Sequence, residues 1–253
     1  MTTSMSTPLL KAINLEKTFQ DRKKGKIKAV RDVSFEAFGG EIFGLLGPNG
    51  AGKTTAMRML ATILTPIAGT AEVNGFDIVQ KPDSVRKSLG FLSGDTGLYA
   101  RLSAREMIIY FGKLYGMKND DINQRLSTLI EELELESFID RRCGKLSTGQ
   151  KQKVSIARTV IHDPPVLILD EPSSGLDVLA SRNIIRFINI AREQGKCIIL
   201  SSHDMGEVER LCDRIAIIFD GNIITIGTKQ ELYDNYQADN MESVFLRAIG
   251  VEA

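Results

Sequence analysis

Eight residues early in the chain have the types and the spacing needed to hold phosphate groups: Gly47, Pro48, Asn49, Gly50, Ala51, Gly52, Lys53 and Thr54. They fit the phosphate-binding loop pattern G-x-x-x-x-G-K-S/T. Glycines are needed because backbone N–H groups can surround a phosphate only where the chain bends sharply and comes close. Lys53 would supply a positive charge to the β- and γ-phosphates, and the Thr54 hydroxyl a ligand for Mg²⁺. The pattern predicts a site for a nucleoside triphosphate.

The segments on both sides of the loop favour this interpretation over a chance glycine-rich turn. Residues 41–46 have the pattern of a short buried strand, and a helix is indicated by apolar residues three or four positions apart, Ala56, Met59, Leu60 and Ile63. We expect this helix to end near Thr65, because Pro66 disfavours the helical conformation of the residue before it. Thr55, which follows the loop, is assigned to the same nucleotide site.

A pair of acidic residues, Asp170 and Glu171, follows an apolar run at residues 166–169. At the C-terminal end of a strand, Asp170 would hold Mg²⁺ directly or through water. Glu171 is placed to orient and deprotonate an attacking water molecule. Two acids after a strand are also common on protein surfaces, so this interpretation depends on the other motifs.

A second anion site is predicted where a serine and a glycine open a helix. The segment consists of Leu146, Ser147, Thr148, Gly149 and Gln150. Two copies facing head to tail would let Ser147 and Gly149 of each close over the γ-phosphate held by the other, which would clamp its charge and exclude water. Taken alone, the segment would more often be a simple N-capped helix.

These segments, in this order, resemble the motifs of the ATP-binding cassette (ABC) family from about residue 9 to residue 228. The phosphate loop matches the Walker A motif, residues 146–150 match the signature sequence, and residues 170–172 match the end of Walker B. Thr148 stands where glycine is commoner in the family. Two further matches are a switch histidine, His203, and a D-loop that consists of Ser174, Gly175, Leu176 and Asp177.

The resemblance implies a role for each matching position. ATP and Mg²⁺ would be the cofactors, and Phe19 would stack on the adenine. His203 would contact the γ-phosphate and link it to Glu171, the catalytic base. Asp177 would help to couple two active sites across a dimer with a second copy or a homologous ATPase subunit. The other histidine, His162, matches no motif and is assigned a structural role.

One position departs from the family pattern. A glutamine that senses Mg²⁺ and couples to the transmembrane partner usually follows the strand that residues 89–92 predict, but this register places Gly94 there. Glycine has no side chain for that role. Either the neighbouring Asp95 faces the metal instead, or the coupling is looser in this chain.

Apolar strand-like runs alternate with helical patterns, which predicts an α/β core. The runs 166–169, 197–200 and 215–219 are apolar throughout, as expected for strands covered on both faces of a parallel sheet. With the resemblance, this predicts a P-loop NTPase core of the ABC ATPase type, with an N-terminal antiparallel β region.

The predicted ATPase domain covers residues 9–228, and residues 229–253 form a tail with one short amphipathic helix. Within the domain, residues 95–145 lack a good strand and are predicted to form an inserted helical subdomain. Its first helix would begin at a capping box between Ser103 and Glu106.

The bulk properties narrow the function classes. The 253 residues carry a formal net charge of zero, so no global field favours nucleic acid. Three scattered cysteines lack metal-ligand spacing and suit buried thiols in a reducing cytosol. The N-terminal residues do not have the pattern of a secretory signal, and no apolar run of about 18 residues could span a membrane. A membrane role would therefore require a partner.

Within the family, residues 110–117, 147–170 and 207–214 are most similar to ATPase subunits of NatA-type sodium-efflux exporters. The resemblance implies a cytoplasmic motor, peripheral on the inner face of the cell membrane, that couples ATP hydrolysis to export of sodium ions through a separate transmembrane permease. The alternative is a soluble ABC-type ATPase that acts on a ribosome, DNA or an assembly partner. The chain has one cassette and no heptads between Lys53 and Leu146, which favours the transporter and argues against a nucleic acid partner.

Overall fold

A ten-stranded sheet passes through the described residues, which in this computed structural model are 7–21, 25–94 and 97–251. In space the strands follow the order β5-β4-β1-β2-β10-β9-β3-β8-β7-β6. Along the chain they are β1 (Leu10–Asp21), β2 (Gly25–Ala37), β3 (Ile42–Leu46), β4 (Ala68–Val73), β5 (Phe76–Asp77), β6 (Leu89–Leu92), β7 (Val166–Asp170), β8 (Cys197–Ser202), β9 (Arg214–Phe219) and β10 (Asn222–Thr228).

The sheet has an antiparallel and a parallel part. Strand β1 pairs antiparallel with β2 and with β4, and β4 pairs antiparallel with β5, so the predicted N-terminal antiparallel β region is confirmed. Strands β9, β3, β8, β7 and β6 pair in parallel, and β10 returns antiparallel to β9. The predicted α/β class is confirmed as well.

Three neighbouring strands of the parallel part, β3, β8 and β7, are buried along their whole length. Such strands consist mainly of apolar residues because both faces of the sheet are covered. Their register pairs Leu46 with Ser202 and Asp170 with Ser201. The carboxyl ends of all three strands therefore meet at one edge, where ligands of open α/β sheets bind.

The described helices are α1 (Lys53–Leu60), α2 (Pro82–Ser88), α3 (Ala104–Leu114), α4 (Asn119–Leu133), α5 (Thr148–Val160), α6 (Val178–Glu193), α7 (Met205–Leu211), α8 (Lys229–Tyr236) and α9 (Met241–Ala248). Helices α3 and α4 lie between β6 and β7 in the chain, within the span predicted as an inserted subdomain. The tail contains α8 and α9, whereas the sequence pattern predicts one helix there. The division into an ATPase domain and a tail stays a prediction.

Helix α1 ends earlier than predicted. Its last residue is Leu60, not a residue near Thr65, and Ile63 is 58% exposed beyond it instead of sharing the buried face. Thr62 takes a left-handed φ of 59° and its N–H donates to the Met59 carbonyl, while the Ile63 N–H donates to the Arg58 carbonyl. This Schellman arrangement satisfies the last carbonyls and stops the helix before Pro66 can act.

Helix α3 begins as predicted and buries only part of its apolar surface. The capping box is confirmed, because the Ser103 hydroxyl accepts from the Glu106 N–H and the Glu106 carboxylate accepts from the Ser103 N–H. Met107 and Ile108 are fully buried. Tyr110 and Leu114 are 41% and 62% exposed, which leaves an apolar face of this helix uncovered in the described part of the chain.

The three cysteines are free and buried, as predicted. Burial raises the pKa of the Cys197 and Cys212 thiols well above the usual range, so both stay protonated. Within the described residues, no helix is long and apolar enough to cross a membrane.

His162 joins the end of α3 to the sheet. Its ring stacks on Tyr115 with centroids 3.6 Å apart and planes 9° apart, and its Nε2 lies 3.3 Å from the Leu89 carbonyl at the start of β6. No described residue bonds its Nδ1. Burial is the main cause that lowers the pKa of His162 to about 4, so the ring is neutral in the folded protein at neutral pH.

We expect His162→Phe to remove a pH dependence of stability. Below about pH 6.5, His162 binds a proton in the unfolded chain but not in the folded chain. The free energy of unfolding of the wild type therefore decreases as the pH is lowered, until the folded His162 is protonated too at about pH 4. The loss attributable to this group is on the order of 3 kcal/mol at most. Urea unfolding of both proteins across this range measures it. Equal pH slopes in the two proteins would contradict the assignment, and above neutral pH the slopes should already agree.

Candidate nucleotide-binding site

The phosphate loop can approach two strands of the sheet, β9 and β2, because two of its glycines have no side chain. A Cβ at Gly47 would lie 2.2 Å from the Ile218 carbonyl oxygen, and a Cβ at Gly52 would lie 2.5 Å from the Ala29 carbonyl oxygen. Gly52 also has a φ of 106°, which L side chains rarely adopt. The loop thus rests directly on the backbones of β9 and β2, and any larger residue at these positions would displace it.

Lys53 is a buried cation inside this loop, with its side chain only 5% exposed. Its Nζ donates to the Gly47 carbonyl at 2.6 Å and to the Pro48 carbonyl at 3.1 Å. Burial lowers the pKa of Lys53, while Glu171, 4.0 Å away, and Asp170 raise it again. A buried ammonium held by carbonyl dipoles and a distant carboxylate creates a favourable place for a phosphate anion.

A cavity of about 290 Å³ extends from this ammonium to an aromatic ring on β1. The ring is that of Phe19, 39% exposed, and the Lys17 ammonium lies 5.8 Å from its centroid. Most of the predicted ATP-binding residues line the cavity, namely Phe19, Pro48, Asn49, Gly50, Gly52, Lys53, Thr54 and Thr55. The other two shape the loop, since Gly47 holds Lys53 and the Ala51 N–H donates to the Pro48 carbonyl. A stacking ring at one end and a buried cation at the other suit a nucleotide.

Glu171 stands at the same cavity in a strained backbone conformation. Its φ is 50°, which is uncommon for a residue other than glycine, and its N–H donates to both the carbonyl and the hydroxyl oxygen of Ser201. Its Oε1 lies 3.0 Å from Nδ1 of His203. The structure therefore brings together the two residues predicted to be catalytic, with the carboxylate facing both the imidazole and the Lys53 ammonium.

The residues present fit a magnesium ion bound together with phosphate. Asp170 is 7% exposed at the end of β7, and the Ser201 hydroxyl donates to its Oδ1 at 2.5 Å. The described residues contain no group of three or more acidic, histidine or cysteine side chains that could hold a metal alone. Mg²⁺ commonly uses one or two carboxylates and takes its other ligands from substrate phosphates and water. Asp170 supplies one such carboxylate, close enough to Lys53 to raise its pKa, and the assignment of Thr54 and Asp170 to the metal stays a prediction.

Of the two residues discussed in place of the family's glutamine, Gly94 and Asp95, the structure describes only Gly94. Gly94 follows β6, and a Cβ there would meet no atom within 4 Å among the described residues other than its chain neighbours. The position is therefore open, and glycine is not required there by packing. Asp95 lies outside the described residues, so its metal-facing role stays a prediction.

The signature segment opens α5 but lies away from the phosphate cavity of its own chain. The Ser147 hydroxyl accepts from the Gln150 N–H at 3.2 Å, and the Gln150 side-chain oxygen accepts from the Ser147 N–H at 3.0 Å. Ser147 and Thr148 are exposed, whereas Leu146 is buried. Since the Ser147 oxygen acts as an acceptor in this capping box, its hydroxyl hydrogen remains available for an anion outside the chain.

The D-loop connects Glu171, the predicted catalytic base, to α6. The Ser174 N–H donates to the Glu171 carbonyl at 3.2 Å, and Asp177 caps α6 by accepting from the Ala180 N–H at 2.8 Å. Gly175 has a φ of 71°, and Leu176 is partly buried against the core. Asp177 lines the same surface depression as Ser147 and Gly149, so the D-loop and the signature segment share one face of the chain.

Sequence reasoning missed a carboxylate that links the D-loop to the switch histidine. Glu207 is 6% exposed in the first turn of α7, where its carboxylate accepts from the Ser202 hydroxyl at 2.6 Å and from the Ser173 hydroxyl. Ser173 precedes the D-loop, and Ser202 precedes His203. The only sequence signal is a serine pair before a histidine, with a glutamate four residues further on, and that pattern alone does not indicate a contact with Ser173.

Comparison with known proteins agrees with this geometry. The sequence profile described as "ABC transporter" matches residues 30–174, more than half of the chain. The chain belongs to the ABC transporter family. It is 43% identical to the ABC transporter ATP-binding protein NatA of Bacillus subtilis (strain 168) over 90% of this chain and 93% of that protein. It is also 36% identical to the Nod factor export ATP-binding protein I of Rhizobium sp. (strain N33), over 95% and 78%.

Solved structures of ABC proteins share the fold. The ATP-binding subunit of an ABC transporter superposes with a TM-score of 0.86 at 27% identity, over 95% of this chain and 99% of the other. A dimeric bacterial ABC transporter cassette superposes with a TM-score of 0.77 at 26% identity, over 87% and 98%. The predicted resemblance to the family, including its NatA-like members, is thus confirmed.

We expect Glu171→Gln to keep ATP binding and to lose hydrolysis by on the order of 10²-fold or more. The amide cannot accept the proton of the attacking water, whereas Lys53 and the phosphate loop are untouched. Nucleotide titration and phosphate release measure the two properties separately. Glu193→Gln, an exposed change at the end of α6, is the matched control and should hydrolyse normally. Wild-type turnover by Glu171→Gln would overturn the assignment of the base.

Proposed function

We propose that this chain is the ATP-hydrolysing subunit of an exporter, working as a head-to-tail dimer beneath a separate transmembrane permease. The observation that carries the proposal is the separation of two anion-binding features on one chain. Glu171, the proposed base, lines the Lys53 cavity, while Ser147 and Gly149 line a different depression together with Asp177. A second copy turned head to tail would place its signature segment over this cavity, and the dimeric cassette among the similar structures supports such an arrangement.

The proposed hydrolysis follows from the groups around the cavity. The loop N–H groups and the Lys53 ammonium hold the β- and γ-phosphates, and Mg²⁺ on Thr54 and Asp170 would neutralise charge on them. Glu171 accepts a proton from a water molecule whose oxygen bonds to the γ-phosphorus. The bond from that phosphorus to the bridging oxygen breaks, and ADP leaves with the electron pair. The His203 imidazole, 3.0 Å from the Glu171 carboxylate, holds that side chain towards the reacting phosphate.

Docking on a permease is supported by an exposed apolar surface beside α3. Tyr99, Tyr110 and Leu114 are 57%, 41% and 62% exposed, and the two tyrosine rings pack edge to face with centroids 6.0 Å apart. Exposed groups of large apolar side chains mark interaction sites. Arg158 of α5 donates to the Gly97 carbonyl and stacks over the Phe111 ring, 5.2 Å from its centroid, so this surface is joined to the signature helix.

Export is the proposed direction because several related proteins carry export or resistance in their names. They include the Nod factor export protein and the linearmycin resistance ATP-binding protein LnrL of Bacillus subtilis (strain 168), which is 34% identical over 92% of this chain and 73% of that protein. The similarity to NatA supports sodium ions as the proposed cargo. The permease would contain the cargo pathway, and this subunit would lie peripherally on the cytoplasmic side of the membrane.

Mixing two inactive variants tests the shared active site. Ser147→Arg keeps its own Lys53, and Lys53→Ala keeps its own Ser147, so a mixed dimer has one complete site. Random mixing should restore up to about a quarter of the wild-type rate, because about half of the dimers are mixed and each has one of two sites intact. Ser127→Arg, on the exposed face of α4, is the control that should stay active alone. Cross-linked mixed dimers without any hydrolysis would contradict the proposal.

A charged substitution in the exposed apolar surface beside α3 tests the proposed docking on a permease. Leu114→Glu should leave the ATPase rate of the purified protein unchanged, because Leu114 lies outside both anion sites. The same change should abolish co-purification with membrane proteins, because it places a charge in the proposed interface. Val79→Glu, at an exposed valine (50%, against 62% for Leu114) in the antiparallel region near α2, is the control and should co-purify normally. If the wild type co-purifies with ribosomes, DNA or a soluble partner instead, the soluble alternative replaces the transporter.

A further inference from the structure

The helices that carry the signature segment and the D-loop approach each other very closely at their N-terminal ends. A Cβ at Gly149 in the first turn of α5 would lie 2.9 Å from the Cβ of Ala180 in the first turn of α6. Only a glycine at position 149 permits this approach without a shift. The signature segment is therefore in direct contact with the first turn of the helix that follows the D-loop.

One turn further along both helices, a single carboxylate binds the two together. Oε2 of Glu134 accepts from Asn183 Nδ2 of α6 at 2.8 Å and from Lys153 Nζ of α5 at 3.4 Å. Its Oε1 accepts from Arg186 Nη1 of α6 at 3.3 Å. Lys153 is four residues after Gly149, and Asn183 is three residues after Ala180, so these contacts lie on the same helix faces as the close approach.

The backbone conformation of Glu134 does not require a glutamate side chain. It caps α4 in the left-handed conformation, with φ 53° and ψ 59°, and the adjacent N–H groups bond back to Glu131 and Ile130. Glycine or asparagine usually fills this position, because other residues adopt the conformation at a cost. Glycine would therefore end the helix at least as well. What glycine would not supply is the carboxylate between α5 and α6.

We propose that Glu134 is a positioning residue that holds the signature helix and the D-loop helix as one unit. Through it, Ser147 and Asp177 would reach the partner copy in a fixed relation, so that closure over one nucleotide also sets the D-loop at the other site. This inference rests on the proposed dimer. Glu134 is 48% exposed, and such ion pairs stabilise a fold little. Its effect lies in geometry, because small misplacements of groups around a reacting centre cost rate.

The test compares Glu134→Gly with Glu131→Gln, at an exposed acid of α4 three residues away whose side chain has no bond within the described residues. Glu134→Gly should keep the melting temperature and the affinity of the monomer for ATP, because the backbone is relieved and the phosphate loop is untouched. Its kcat should fall by roughly 10-fold or more. In a Glu171→Gln background, the ATP-trapped dimer should be weaker, so that it dissociates at a higher protein concentration than the dimer of Glu171→Gln alone. Glu131→Gln should match the wild type in every measurement.

A double-mutant comparison adds a readout that general destabilisation would not produce. Asn183→Ala should lower kcat in the wild-type background and should have no further effect when Glu134 is already glycine, because the two side chains act through one contact. A Glu134→Gly protein with wild-type kcat and dimer affinity would overturn the inference. A lower kcat that is accompanied by a clearly lower melting temperature would overturn it too, because general destabilisation would then explain the loss. The proposed function would be overturned as well if the wild type hydrolysed ATP at a rate per subunit that does not depend on protein concentration, and if its Glu171→Gln form trapped no dimer.

Discussion

The structure depends on the burial of the Lys53 ammonium within a loop that offers it only carbonyl oxygens at bonding distance. Removing an ammonium from water is costly unless a countercharge compensates it, and the nearest carboxylate oxygen is 4.0 Å away. The phosphate of a bound nucleotide would complete that compensation. The close approach of Gly47 and Gly52 to neighbouring backbones holds the ammonium in place, and the register of β7 with β8 places Glu171 and His203 opposite it.

Hydroxyl groups at the end of β8 organise the acids around this cation. The Ser201 hydroxyl donates to Asp170 and receives the Glu171 N–H, while Ser202, pointing the other way, donates to Glu207. Because successive residues of a strand face opposite sides, two adjacent serines contact Asp170, the proposed metal ligand, and Glu207 beside the D-loop separately. A displacement of the β8 end would thus reach the proposed metal ligand, the proposed base and the D-loop together.

The parts of the site that are continuous in the chain could be predicted from their residue types, and the pairing of Glu171 with His203 from the resemblance to the family, whereas the contacts of Glu134 and Glu207 could not be predicted. The phosphate loop and the acid pair have types and spacings set by their own chemistry. Glu134 and Glu207 look like solvated acids on helices, and only the tertiary contacts reveal their partners. Ile63 shows the opposite error, since its helical spacing continued past the point where the backbone of Thr62 ends α1. Periodicity records side-chain preference and contains no information about that backbone choice.

The junction between the two parts of the sheet has a consequence for nucleotide release. Strands β2 and β10 meet through one register pair, Asn222 with Asp32, and through the Arg31 N–H bond to the Gly221 carbonyl. Phe19 stands on one side of this narrow seam and Lys53 on the other. A nucleotide that contacts both would tie the antiparallel ribbon to the parallel core in addition to the buried apolar cluster that the two parts share, so the departure of ADP would remove one of these ties.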